Sequence, residues 1–189
     1  MDSALPRVSL RTSYSPPRIA LFAVGATAAW ILSVTIGALL EVDPGVAKVA
    51  LIVHTISLVA AFGAVLLVDW VGFLWLISRR KLVETSRIES AAMPIIWGGL
   101  AGLLVTGALI NPAMENPLTI IKVCAVLVLM LNGILLIPCM RRLNSMPAGT
   151  RFGDVPAGMR VHLLICLAIS QTCWWTAMVV GFINSSDLL

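Results

Sequence analysis

Charged residues are scarce in this sequence: Asp, Glu, Lys and Arg together make up 12% of its 189 residues. Soluble domains carry about 25% charged residues. Here 59% of the chain is hydrophobic and the mean hydropathy is +1.00, which excludes an ordinary soluble domain and a disordered chain. The net charge of +4 comes from few charges rather than from a basic field, so a nucleic-acid-binding protein is excluded as well.

Motifs of conventional hydrolytic catalysis are also missing. The sequence contains no H-E-x-x-H, no G-x-S-x-G and no P-loop, and no Ser, His and Asp are expected at one depth. Whether the chain is an enzyme stays open, with the balance against it. All four cysteines fall within apolar runs, where Cys is usually a small apolar filler, so structural disulfides are not expected: Cys124, Cys139, Cys166 and Cys173.

Five apolar runs are long enough to cross about 30 Å of hydrocarbon as α-helices. They cover residues 19–40, 49–78, 91–110, 118–140 and 161–183. They are apolar on every face and do not alternate, which excludes a membrane barrel. The sequence therefore predicts an all-α integral membrane bundle, a single domain over residues 18–184, with a disordered tail at 1–17 and a short tail at 185–189.

The basic residues predict the orientation of this bundle, because Lys and Arg are retained on the cytoplasmic side. Eleven of the 13 lie in the N-terminal tail, the 79–90 loop and the 141–160 loop, and only Lys48 and Lys122 lie elsewhere. The N-terminus is predicted to be cytoplasmic and the C-terminus external, as an odd number of spans requires. The 141–160 loop, with Pro-Ala-Gly twice, is interpreted as a flexible connector.

Polar residues inside the runs are predicted to gather in one layer. Counting about 1.5 Å per residue from the nearest cytoplasmic basic residue puts four of them about 13 to 17 Å deep, near the midplane: Thr27, Asp69, Asn132 and Gln171. Asp69 is the only acidic residue within the predicted runs. It is expected to be protonated or to form a hydrogen-bonded cluster with Asn132 and Gln171. This cluster is either a proton- or cation-binding transport site or a polar clasp that fixes helix packing.

The two histidines are candidate ligands for haem or a metal, but not for the same one. Counting residues puts His54 about 37 Å from the cytoplasmic side, whereas His162 lies beside cytoplasmic Arg160, so a bis-histidine haem is excluded. His54 is a candidate copper ligand near the external side, where Lys122 is expected to extend toward the interface. His162, Cys166 and Cys139 form a weak candidate for a soft metal.

Short motifs are scattered over the last four runs and the connection before residue 118: His54, Gly63, Asp69, Thr106, Gly107, Asn116, Pro117, Lys122, Asn132, Ser170, Trp174 and Gly181. With these motifs, residues 46–183 resemble small bacterial membrane proteins distantly similar to the copper-resistance D type. It implies a helical bundle in the bacterial inner membrane with an external site for copper or haem b. The chain lacks Met-x-x-Met or a His-rich external segment, which such a copper site would need.

Three functions are therefore carried forward. The first is a small ion, proton or solute transport protein, or a membrane-complex subunit, with the midplane polar site. The second is a redox or metal-handling protein that binds haem or copper, and the third is a purely structural subunit. Homo-oligomerisation is expected, because Gly98 and Gly102 on the third run form a G-x-x-x-G pattern that permits close helix approach.

Overall fold

Five long helices make up nearly all of the chain. The computed structural model describes residues 16–110 and 112–186. The helices are α1 (Pro16–Leu39), α2 (Pro44–Leu76), α3 (Leu82–Leu109), α4 (Pro117–Asn144) and α5 (Ala157–Ser186), with a short 3-10 helix at Phe152–Asp154. Each long helix has the length and composition to cross a membrane, and no strand occurs in these ranges. The predicted all-α membrane bundle with five spans is confirmed, and the chain is a multi-pass membrane protein.

Helix α3 differs most from its predicted bounds. It begins at Leu82 rather than at 91, so most of the predicted 79–90 loop is helical. The charged residues of this segment suggested a loop, but the segment has a buried helical face. Leu82, Thr85 and Glu89 follow one another at the spacing of helix turns and are all buried. Helix α4 likewise runs on to Asn144. The predicted tails at 1–17 and 185–189 lie outside the described residues, except where α1 and α5 extend into them.

The starts of α2 and α4 follow from local sequence. Both helices open with proline, which lacks the N–H that a first helical residue leaves unpaired. Asp43 Oδ1 accepts hydrogen bonds from Gly45 N at 2.8 Å and Val46 N at 3.3 Å, and Asn116 Oδ1 accepts one from Leu118 N at 2.9 Å. These side chains cap the helix ends and fix where the spans begin.

Helices α2 and α3 form one antiparallel pair, α4 and α5 form another, and α1 packs across α3 and α4. Trp30 Nε1 donates to Val123 O on α4 at 2.9 Å, and Ser33 Oγ donates to Leu104 O on α3 at 2.6 Å. No residue in the most apolar window of α1 is buried. Most of α1 therefore faces the surroundings of the bundle, which in a membrane are lipid.

Small residues bring α2 and α3 together. A Cβ on Gly99 would lie 2.6 Å from Ala61 Cβ and 2.8 Å from Ser57 O, and one on Gly102 would collide with Ser57 Oγ. A Cβ on Gly98 would meet nothing within 4 Å. The close approach thus uses Gly99 and Gly102 rather than the predicted pair, and it lies within the chain, so the glycines of α3 no longer support the prediction of a homo-oligomer.

One end of the bundle, which we call the basic end, holds the connections rich in Lys and Arg. Trp75 at the end of α2, Leu82 at the start of α3, Leu143 at the end of α4 and Val155 before α5 pack there in one cluster. The predicted cytoplasmic residues of the α2–α3 and α4–α5 connections thus share one end, whereas Glu41, Asp43 and Glu115 belong to connections at the opposite end.

Candidate functional site

Asp69 and Gln171 form a direct link between α2 and α5. Gln171 Nε2 donates a hydrogen bond to Asp69 Oδ2 at 2.5 Å, and Trp175 Nε1 donates to Gln171 Oε1 at 3.0 Å. Indole N–H is only a donor, so Trp175 fixes the Gln171 amide with its NH₂ group toward the carboxylate. The structure brings together two of the residues that the sequence placed at one depth, and it holds Asp69 with a neutral partner.

Asn132 belongs to the same region but not to the same hydrogen-bonded group. Its side chain is 8% exposed, and its Nδ2 donates to Cys166 O on α5 at 2.9 Å. The expected cluster of Asp69, Asn132 and Gln171 therefore differs from the structure. The amide of Asn132 is held by a carbonyl five residues before Gln171 on α5, about 7.5 Å nearer the basic end.

Thr27 is not part of this site. Its Oγ1 donates to Ala23 O in its own helix at 2.8 Å, the usual way for a membrane-helix threonine to satisfy its hydroxyl. Helix α1 packs on α3 and α4 and lines none of the space around Asp69. The depth of Thr27 did not predict its contacts, because depth alone does not specify which neighbouring helix a side chain faces.

A cavity of about 230 Å³ lies between α2, α3, α4 and α5, and Asp69 is part of its wall. Most of its wall is Leu, Met, Val, Phe and Trp. Its main oxygen-bearing side chains are Asp69, Thr85, Glu89, Asn132 and Ser170. No Lys or Arg is among the described residues that line it. The cavity is thus an apolar space whose described lining residues include two carboxyl groups and no Lys or Arg.

Glu89 is the site residue that the sequence analysis missed. It is 8% exposed, lines the cavity and forms a side-chain hydrogen bond with Asn144 of α4. Trp75 and Leu82 pack together at the basic end; Asp69 lies six residues from Trp75 and Glu89 seven from Leu82, so both α-carbons lie about 9 to 10 Å further in. In the sequence, the spacing of Glu89 with Thr85 and Ala92 would place the three on one face of a helix, and this pattern could have identified Glu89 as buried.

Residues 145–156 close the cavity at the basic end, and we call them the cap. Trp75 Nε1 donates to Thr150 O at 3.0 Å, and the Trp75 ring meets Phe152 edge-on at a centroid distance of 5.1 Å. Val155 is 2% exposed, and Phe152 lines the cavity. The segment is therefore a packed cap rather than the predicted flexible connector, because its apolar side chains pack against the basic end of the bundle.

His54 and Lys122 lie on the far side of the core from this cavity. Thr106 Oγ1 donates to Gly102 O at 2.6 Å, so its one hydrogen is used and it accepts from His54 Nδ1 at 2.9 Å. The lone pair of His54 is therefore on Nε2. Lys122 is half-buried and near enough to His54 to act on it through its charge.

The predicted metal ligands do not assemble. His162 Nε2 lies 3.7 Å from Cys166 Sγ at the basic end, far from His54. Across residues 16–110 and 112–186, no group of three or more His, Cys, Asp or Glu side chains is placed to hold a metal ion. All four cysteines are free. Copper or haem at His54 stays a prediction.

Fold and site together define a five-helix multi-pass membrane protein with a carboxylate-bearing cavity. Comparison with protein-family models, with curated proteins and with solved structures found no match to this chain. The resemblance to the copper-resistance D type therefore stays a prediction.

Proposed function

We propose that this chain is a small transport protein of a bacterial inner membrane that carries protons or small cations, with Asp69 as the group that binds them. The observation that supports the proposal is the cavity in which Asp69 and Glu89 lie without any Lys or Arg in its described wall. An ionised carboxylate in a membrane span costs about 2.5 to 3.5 kcal/mol even on the most lenient scale. A bound proton or cation removes that cost, which gives Asp69 an affinity for positive charge.

The neighbours of Asp69 suit this role. Gln171 donates one hydrogen bond to the carboxylate but carries no charge, so it orients the group without neutralising it. Glu89 lies in the same cavity at a similar distance from the basic end and offers a second carboxyl group. In this proposal Asp69 takes up the proton or cation, and Glu89 offers a second carboxyl group that can accept it across the cavity.

Transport requires that the cap opens. The cap closes the cavity at the basic end through the Trp75–Thr150 hydrogen bond, the Trp75–Phe152 ring contact and the burial of Val155. In this proposal these contacts break when the cap opens, and the neutral hydrogen bond among them contributes about 1 kcal/mol. The N-terminus-inside orientation predicted from Lys and Arg makes this end cytoplasmic.

The test is a flux measurement on purified protein in lipid vesicles loaded with a pH-sensitive dye. A potassium diffusion potential set with valinomycin drives proton entry, and we expect flux from the natural chain. Asp69→Asn is expected to lower that flux more than tenfold, because the amide cannot take up a proton. Glu115→Gln is the control, since Glu115 is an exposed carboxylate in the α3–α4 connection, outside the cavity, and this variant should transport normally.

Three results would overturn the proposal. The first is a natural chain that carries neither protons nor, in vesicles loaded with a sodium- or potassium-sensitive dye, these ions. The second is an unchanged flux in Asp69→Asn. The third is a lower unfolding temperature of Asp69→Asn together with no flux from the natural chain, in which case the Asp69–Gln171 pair is a packing clasp and the chain is a structural subunit.

A further inference from the structure

The cavity is closed along the axis of the bundle in both directions. Toward the basic end, the cap packs under Trp75 and buries Val155. Toward the opposite end, Phe62 of α2 stacks on Trp174 of α5 at a centroid distance of 5.6 Å, within a cluster that also contains Leu100 and Leu129. A ligand that reaches Asp69 in this conformation cannot arrive along the axis from either end.

The side of the bundle between α2 and α5 is open by contrast. Phe73 of α2 and Leu164 and Leu167 of α5 line the cavity and are also 46%, 43% and 36% exposed. Gly72 lines the cavity beside Phe73, and a Cβ there would meet no atom within 4 Å. Side chains that face the cavity and the surface together mark a lateral opening, and this one faces the hydrocarbon or its edge.

The chemistry of the cavity limits what enters it. Its walls are mostly apolar and carry few oxygen-bearing side chains, which favours a cation with an apolar part over a hydrated inorganic ion. A volume of about 230 Å³ is below the range of roughly 300 to 1,000 Å³ of drug-sized pockets, so the occupant is small. The Asp69 carboxylate in the wall of the cavity selects for positive charge.

From these observations we infer that a small amphipathic cation, a short-chain or single-ring amine, enters from the bilayer between α2 and α5. Its apolar part packs against the walls of the cavity, and its ammonium group pairs with Asp69 beside Gln171. The inference rests on the proposed function, because it names the substrate class of the same carboxylate. It adds the route, which passes over Gly72.

The experiment uses the full chain in nanodiscs of phosphatidylcholine. The probe is protonated 4-bromobenzylamine, a single-ring amine, since bromine quenches tryptophan fluorescence on contact and Trp75, Trp97 and Trp174 line the cavity. We expect saturable quenching by this cation, and at least tenfold weaker binding of 4-bromobenzyl alcohol and 4-bromobenzoate. Asp69→Asn should weaken binding of the cation at least tenfold, and Asp69→Glu should retain it.

Two glycines of α2 provide a matched pair for the route. Gly72→Leu places a side chain in the opening and should slow association of the probe at least tenfold. Gly63→Leu is the control, because Gly63 also has nothing within 4 Å of a Cβ but does not line the cavity. Leu164→Phe narrows the same opening from α5 and repeats the test if Gly72→Leu fails to fold.

The outcomes separate this inference from the proposed function. Proton flux without saturable quenching overturns the amphipathic cation and leaves the transport function. Saturable quenching without any flux overturns transport and leaves the binding site. Equal association rates for Gly72→Leu, Leu164→Phe and the natural chain overturn the lateral route.

Discussion

Helix α2 has two neighbours that it meets in opposite ways. Against α3 it presents Ala61 and Ser57 to Gly99 and Gly102, and the two backbones approach closely. Against α5 it is held mainly by the Asp69–Gln171 hydrogen bond and by aromatic contacts of Phe62. The α2–α3 contact is packed tightly through small residues, and we call it the closed seam. The α2–α5 contact is held apart by large and polar residues and lies beside the cavity, and we call it the open seam.

The contrast matters because lipid provides no hydrophobic driving force between helices. Helices in a bilayer associate through van der Waals packing and interhelical hydrogen bonds. Van der Waals packing stabilises the α2–α3 seam, since its backbones come within contact distance at Gly99. The α2–α5 seam depends more on hydrogen bonds. A change to a few polar side chains there should therefore alter both the stability of the seam and the access of a ligand to the cavity.

The largest expected effect is at Gly99, on the closed seam. Gly99→Leu forces a side chain into Ala61 and Ser57 O, and overpacking of this kind costs about 3 kcal/mol. We expect a lower unfolding temperature in mild detergent, measured by circular dichroism. Gly98→Leu is the control. A Cβ on Gly98 would meet no atom within 4 Å, so this variant should change stability by less than about 1 kcal/mol. Equal effects of the two variants would contradict the closed seam.

A smaller effect is expected on the open seam. Gln171→Leu leaves Asp69 without its amide donor, and an unsatisfied buried group costs about 1 to 3 kcal/mol. The double variant Asp69→Leu, Gln171→Leu removes both partners and should recover most of that loss. If the double variant is as unstable as the sum of the single ones, the two side chains act independently and the seam is not held by their hydrogen bond.

Much of the fold could be predicted from sequence because lipid imposes a simple rule. Each span must be a helix of about 20 apolar residues, and the runs show where those lie. The rule fails where a helix extends past the apolar run, as α3 does at Leu82. There the charged residues suggested a loop, and the buried spacing of Thr85 and Glu89 was overlooked.

The site could be predicted less well than the fold, and the reason is rotation about the helix axis. Counting residues gave similar depths for Thr27 and Asp69, but depth does not specify which neighbour a side chain faces. Asp69 and Gln171 form a hydrogen bond because they lie on the faces of α2 and α5 that face each other. Thr27 instead donates a hydrogen bond within its own helix, and Asn132 donates one to Cys166 O. The cap was missed for a similar reason, since its burial depends on tertiary contacts of Phe152 and Val155.

The cap offers a test at the basic end of the open seam. Trp75→Phe keeps an aromatic ring for Phe152 but removes the N–H that bonds Thr150 O. We expect a loss of about 1 kcal/mol in stability, together with faster hydrogen exchange confined to residues 145–156. Trp70→Phe is the control, because Trp70 is 58% exposed on the outer surface of α2. Unchanged exchange in the cap would mean that ring packing alone holds it.

The smallest expected effect returns to the closed seam, at its one side-chain hydrogen bond between α2 and α3. Thr106→Val removes the hydroxyl that accepts from His54 Nδ1, and interhelical hydrogen bonds in membranes average about 0.6 kcal/mol. Because Gly99 and Gly102 hold this seam by packing, we expect stability to fall by no more than about 1 kcal/mol. The same kind of change costs more on the open seam, where Gln171→Leu removes a main contact between the helices. A larger loss from Thr106→Val than from Gln171→Leu would mean that polar contacts, and not glycine packing, distinguish the two sides of α2.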